Sequence, residues 1–190
     1  IGADETIREV YHLDRPVADF EATLAALTAT SMNVSPHIVI GLHYGRVLGE
    51  TNALDIVSRY PVEALVLVVV MPFYALPGQF AVPDTADVGR IFAEARLRLH
   101  DRQVLLGCAR PPGLHKRAVD AYAVMAGLDG IAFPADGVHV AIGGRREQAA
   151  HVQQLVKQTD GEGAGTDGRV QALEITRHVQ KHSTLIGFEK

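Results

Sequence analysis

The stretch ALVLVVVM, residues 64–71, is the longest apolar run in the chain and lies between Glu63 and Pro72. This run is much shorter than the ~20 apolar residues that a membrane-spanning helix needs. A short aliphatic and β-branched run between polar or helix-breaking residues is typical of a strand that is buried on both faces, as in the interior of a parallel sheet. The sequence therefore predicts a β-strand over Ala64–Val70 with helices packed around it.

Strands and helices alternate on either side of this run, a pattern that favours βαβ units and an α/β fold with parallel strands. The other predicted strands are Ile7–Leu13, His37–Leu42, Gln103–Gly107 and Gly130–Phe133. The first predicted helix begins after Pro16. The other predicted helices cover 52–59, 87–99, 116–126 and 145–157. Residues 159–168, TDGEGAGTDG, contain no apolar residue larger than alanine and predict a flexible linker. The predicted organisation is a β/α domain over 1–158, the linker over 159–168, and a tail of unknown role over 169–190.

About five strand–helix units are too few for a closed eight-stranded barrel, which takes roughly 250 residues. The chain is then either an open half-barrel or part of a larger whole. A doubly wound sheet is the alternative, but no G-x-G-x-x-G follows the first predicted strand to support a dinucleotide site.

Composition excludes several classes of partner and location. The formal net charge of −4 gives no basic footprint for a nucleic acid, so none is expected as a partner. No apolar run could span a membrane and no export signal opens the sequence, so we expect a cytoplasmic protein without a membrane partner. The single cysteine, Cys108, can neither form an internal disulfide nor hold an iron–sulfur cluster alone.

Polar residues follow the predicted strands, where parallel α/β folds bind ligands. His12, His37, His43 and Asp14 offer metal-ligand atoms, but their spacing matches no metal signature and a metal site is not favoured. Cys108 is a possible nucleophile with no evident base.

Two further residues have both a binding and a structural interpretation. Arg110 could hold a carboxylate in a bidentate fork or could form a surface salt bridge. Asp14 could accept hydrogen bonds from ribose hydroxyls or could cap the helix that starts near Pro16. The residues alone leave both choices open.

Five segments in order over residues 2–135 resemble the second half of radical S-adenosylmethionine enzymes of the biotin synthase and lipoyl-synthase-like group. These segments are REVYHLDR, PHIVIGLHYGRVLGE, ALVLVVVMP, VLLGCARP and MAGLDGIAFP. The resemblance implies half of a TIM-type barrel with transferase chemistry such as sulfur insertion, a small-molecule substrate, and S-adenosylmethionine as cofactor.

The resemblance also implies roles for particular residues. His12 and Asp14 match a polar pair that binds the ribose of S-adenosylmethionine, although the family has asparagine where this chain has histidine. Ile40 and Gly41 match a strand that lies near the adenine. Arg110 matches an arginine that ligates an auxiliary [2Fe–2S] cluster in biotin synthase. The position at which that enzyme has a cysteine falls near Ser35, and this chain has no cysteine there, so the auxiliary cluster is not expected. Arg110 is expected instead to contact substrate or the methionine carboxylate.

The chain contains no C-x-x-x-C-x-x-C, so it cannot ligate the [4Fe–4S] cluster that the family uses. The resemblance thus implies an enzyme fragment or subunit that contributes cofactor- and substrate-binding strands. Its expected partner is a cluster-bearing N-terminal half or subunit, or a second copy that covers exposed sheet edges. Two alternatives are a non-catalytic scaffold or binding subunit and an unrelated α/β hydrolase or lyase that uses Asp14, His43 and Arg110.

Overall fold

A computed structural model describes residues 2–73, 75–136 and Val138. The elements follow in the order α1 (Asp4–Glu9), α2 (Val17–Thr28), β1 (His37–Ile40), α3 (Glu50–Ser58), β2 (Ala64–Val69), α4 (Thr85–Arg98), β3 (Gln103–Leu106), α5 (Leu114–Met125) and β4 (Gly130–Ile131). None of the helices in these ranges is long and apolar enough to cross a membrane.

The four strands form one parallel sheet in the order β1-β2-β3-β4, so each strand pairs with the strand before it in the chain. The register places Val39 beside Val68 and Val66 beside Leu105. Neighbouring helices also contact each other, α3 with α4 and α4 with α5. The predicted α/β class with parallel strands is confirmed.

One face of the sheet lies against the helices and forms the core. The side chains of Ile40, Leu67 and Leu106 are almost completely buried there, together with Phe92 of α4 and Val119 of α5. Burial of an aliphatic side chain of this size contributes roughly 1.5–3 kcal/mol. This face supplies most of the packing that holds the strands to the helices.

The opposite face of the sheet is also aliphatic but is less well covered. Val39, Val66, Val68 and Leu105 alternate with the core residues and are each only half-buried. Because parallel sheets are normally covered on both faces, these side chains form an apolar surface that is unusual for an isolated domain.

The strand predicted over Ile7–Leu13 is wrong. Residues Asp4–Glu9 form α1, and two acidic residues in its first turn complement the helix dipole. Beyond α1, His12 adopts a φ of 54° and the Leu13 N–H bonds back to the Ile7 carbonyl at 3.2 Å, a geometry that a strand cannot adopt. The β-branched and aliphatic residues of this segment predicted a strand, but Ile7 is buried as part of a helix.

The other four predicted strands and the helices between them are confirmed, with shifts of a few residues. The helices α3, α4 and α5 each begin two residues earlier than predicted. At α4 the start is Thr85 because the Asp84 carboxylate caps the helix and accepts the N–H groups of Ala86 and Asp87. The predicted helix at 145–157, the linker and the tail lie outside the described residues.

Candidate functional site at the carboxyl ends of the strands

Three loops leave the carboxyl ends of β1, β2 and β3, at the edge of the sheet where α/β proteins bind ligands. The loop after β1 covers residues 41–49, and one hydrogen bond joins its start to the helix that follows it. The Gly41 N–H donates to Oε1 of Glu50 at 2.8 Å, so the end of β1 is bonded to the first residue of α3.

Gly41 itself is fixed by conformation and by space. Its φ is 79°, and a Cβ at this position would lie 2.2 Å from Cγ of Pro83 in the loop after β2. Only glycine can adopt this conformation in such close contact with another loop. The loops after β1 and β2 are therefore packed directly together.

Glu50 is the most unusual polar residue of the site. It is 5% exposed, and Oε2, its second carboxylate oxygen, has no hydrogen-bond partner within the part of the chain that the structure describes. Burial raises the pKa of Glu50 above its ordinary value, and the N–H of Gly41 acts in the opposite direction. The sequence analysis assigned Glu50 no role.

His43 is buried and connects the loop after β1 to α1. Its Nδ1 lies 3.3 Å from Oγ1 of Thr6, and its Nε2 lies 3.7 Å from a carboxylate oxygen of Glu9. The ring packs edge-on against Tyr44. Both ring nitrogens thus face α1 residues, so His43 holds α1 in place and does not face solvent as a general base would.

Arg110, after β3, forms a buried ion pair with Asp120 of α5, and both side chains are 0% exposed. Its Nε donates to one Asp120 oxygen at 2.5 Å and its Nη2 to the other at 3.2 Å. The guanidinium also donates to the carbonyls of Gly107, Ala132 and Phe133, beyond β3 and β4. Of the two roles weighed for Arg110 from the residues, the surface salt bridge is wrong because the pair is buried; Arg110 does hold a carboxylate through two donors, but that carboxylate belongs to Asp120 of the chain itself.

Asp120 was missed by sequence reasoning because it lies inside an apolar helix segment, where nothing in the pattern distinguishes a buried acid from an exposed one. The only sequence signal for a buried acid was that Asp120 lies between Ala118 and Ala121, small residues that the structure buries on the same helix.

The residues that the resemblance assigned to S-adenosylmethionine do not share one surface. His12 and Asp14 are exposed between α1 and α2, and they do not end a strand. Ile40 is fully buried in the core, so only its backbone is available to a ligand, and Gly41 has its N–H bonded to Glu50. Arg110 is buried in the ion pair described above.

Likewise, the Asp14, His43 and Arg110 of the hydrolase alternative do not face a common cleft, since two of the three are buried in separate contacts.

Large apolar side chains are exposed beyond the strand ends. Phe73 and Leu76 after β2 are 63% and 74% exposed, and Phe133 after β4 is 79% exposed. Cys108 after β3 is exposed as well. Aromatic and aliphatic groups at the ligand-binding edge of a sheet form an apolar rim that a ligand or another protein surface can cover.

No group of three or more histidine, cysteine, aspartate or glutamate side chains that could hold a metal ion occurs among residues 2–73, 75–136 and Val138. Comparisons with family models, with curated proteins and with solved structures each found no match to the chain.

Proposed function

We propose that this chain is one wall of a parallel β/α barrel of the radical S-adenosylmethionine type, and that it binds S-adenosylmethionine and a small-molecule substrate at the carboxyl ends of its strands. Catalysis would require a cluster-bearing half or subunit, because this chain has one cysteine. The observation that supports the proposal best is the sequential parallel order β1-β2-β3-β4.

Strand order separates a barrel wall from a doubly wound sheet. In a doubly wound sheet the order reverses at a switch point, whereas in a barrel every strand follows its predecessor in the same direction. Crossovers between parallel strands are right-handed, so a sequential order places all the helices on one face. The contacts between α3, α4 and α5 agree with that arrangement.

The apolar open face supports the same conclusion. Val39, Val66, Val68 and Leu105 occupy the positions that point into the interior of a barrel, where side chains from all the strands pack together. In the described residues they are half-buried, so further strands are needed to complete their packing. Moreover, α2 has no fully buried residue, as expected of a helix that lies beside a missing neighbour.

The assignment to S-adenosylmethionine depends on the resemblance of the five segments and is less direct. Asp14 is exposed and available to ribose hydroxyls, and the apolar rim around Phe73 and Phe133 offers surfaces for the adenine. Arg110 is excluded from the proposal, since its buried pairing with Asp120 removes it from any ligand surface.

The exposed rim also favours a second candidate, a non-catalytic binding subunit. Phe73, Leu76 and Phe133 expose apolar side chains that a protein partner would cover without any cofactor. This candidate predicts partner binding with no affinity for S-adenosylmethionine.

Isothermal titration of the purified chain with S-adenosylmethionine tests the proposal, first alone and then with a co-encoded C-x-x-x-C-x-x-C polypeptide that has been reconstituted anaerobically with iron and sulfide. Binding should appear or tighten when that polypeptide is added. Asp14→Asn should weaken it roughly tenfold, the loss expected for one hydrogen bond to ribose. Asp101→Asn is the matched control and should leave binding unchanged, because Asp101 is exposed just before β3, at the opposite end of the strands.

Absence of binding in both states would reject the radical enzyme and leave the binding subunit. Turnover of a substrate in air and without iron would reject both.

A further inference from the structure

An open cavity of about 380 Å³ lies between the start of α5 and the loop that follows β4. Its lining includes Lys116 and Arg117 of α5 and, from the loop, Pro134, Ala135 and Asp136. Both walls come after the carboxyl ends of strands, at the edge of the sheet where parallel α/β proteins bind small ligands. The volume is within the range of about 300–1,000 Å³ that is usual for small-molecule pockets.

The loop wall of this cavity is fixed to α5 by the buried ion pair. Asp120 of α5 accepts the Ala135 N–H at 2.7 Å. Its partner Arg110 donates to the carbonyl of Phe133 at 3.1 Å. Because both side chains of the pair are 0% exposed, these bonds are shielded from water and hold the loop at a set distance from α5. The cavity is therefore formed before any ligand enters it.

The cavity has more positive than negative charge. Lys116 and Arg117 bring two positive charges, and Asp136 on the opposite wall brings one negative charge. Neither Lys116 nor Arg117 forms an ion pair with any residue that the structure describes, whereas all three arginines of α4 are paired with carboxylates. Both cations are also half-buried, so an anion between them would be less screened by water than at an open surface.

We infer that this cavity, the α5 cavity, binds an oxyanion, a phosphate or carboxylate group, of the small-molecule substrate, with Lys116 and Arg117 as its counter-ions. A guanidinium can donate to two oxygens of one oxyanion, and the neighbouring ammonium can donate to the same group. That the oxyanion belongs to a substrate rests on the proposed function, whereas its binding depends only on the cavity and its lining.

Proton–nitrogen correlation NMR of the nitrogen-15-labelled chain tests the inference near neutral pH. Sodium phosphate and sodium acetate are separate probes, with sodium chloride added to keep the ionic strength constant. The N–H resonances of Lys116, Arg117 and Ala135 should shift and saturate with at least one of the two probes. Tighter binding of phosphate identifies a phosphorylated ligand, and tighter binding of acetate identifies a carboxylic acid.

Lys116→Gln and Arg117→Gln should each weaken oxyanion binding roughly tenfold, as expected when a charge-assisted hydrogen bond is lost. Asp136→Asn should tighten it roughly threefold, the effect of removing one nearby negative charge that is screened by water. Arg8→Gln is the matched control, since it removes the same charge from an exposed position on α1 and should bind as the unsubstituted chain does.

No saturable shift with either probe would overturn the inference. Equal weakening by Arg8→Gln and Arg117→Gln would overturn it as well, since that result reports only the net charge of the chain. A failure to bind S-adenosylmethionine rejects the proposed cofactor but does not change these resonances, so the two failures are distinguishable.

Discussion

Substitution of Arg110 by methionine should be among the most destabilising single changes in the described part of the chain. Methionine preserves most of the apolar volume but removes the guanidinium, so Asp120 stays buried with one remaining donor, the N–H of Ala135 at 2.7 Å. The carbonyls of Gly107, Ala132 and Phe133 lose a donor at the same time. Removal of one partner from a buried ion pair costs about 3–5 kcal/mol.

The loss is large compared with the total stability of a domain, which is typically about 5–15 kcal/mol. Urea unfolding followed by circular dichroism measures it, with Arg110→Met, Asp120→Leu and the double variant forming a double-mutant cycle. The double variant should be more stable than either single variant, because it leaves no unpaired buried charge.

The exposed pair Arg15–Asp19 provides the control. Its side chains are 70% and 45% exposed, and such pairs contribute only ~0–1 kcal/mol. Arg15→Met should therefore cost less than ~1 kcal/mol. If Arg110→Met costs no more than Arg15→Met, or if the two single losses at Arg110 and Asp120 simply add, then the pair is not the buried connection between β3, α5 and β4 that we describe.

Three further outcomes are expected. Gly41→Ala should lower the free energy of unfolding, measured in urea, by more than ~2 kcal/mol. Gly78 has the same φ of 79° but lies in open space, so Gly78→Ala should lower it only by the ~1 kcal/mol of the left-handed backbone. Equal losses would argue against the contact between Gly41 and Pro83. Because burial raises the pKa of Glu50 above 4.5, the chain loses stability as the pH rises from 4.5 through that raised pKa. Glu50→Gln should therefore gain stability relative to the unsubstituted chain over the same rise in pH, and a falling difference would contradict the burial. Burial lowers the pKa of His115 below 6.5, so its NMR titration should have its midpoint below that value and its contribution to stability should be lost as the pH falls through the lowered pKa. A midpoint above 6.5 would contradict burial as the main influence, because the hydrogen bond to the Pro83 carbonyl acts in the opposite direction.

The sequence predicted most of the fold because burial leaves a strong pattern in a parallel sheet. The run at 64–70 is apolar at every position because the side chains of β2 point alternately to the helix-covered core face and to the apolar open face of the sheet. The period of the segment 87–99 follows from one helix face in the core. The pattern was misleading at residues 7–13. There, a short segment with β-branched and aliphatic residues predicted a strand, whereas the structure has the short helix α1 and a turn at His12.

The candidate site was predicted less well than the fold. The sequence by itself determined the α/β class, the four described strands and the position of polar residues after them, because these depend on local composition and on periodic burial. Only the tertiary structure decided that Arg110 is paired with Asp120, that Ile40 belongs to the core, and that Glu50 is buried. These contacts join residues from different elements of the fold. The partner of a buried charge cannot be predicted from local sequence, because charge pairing requires proximity in space and not in the chain.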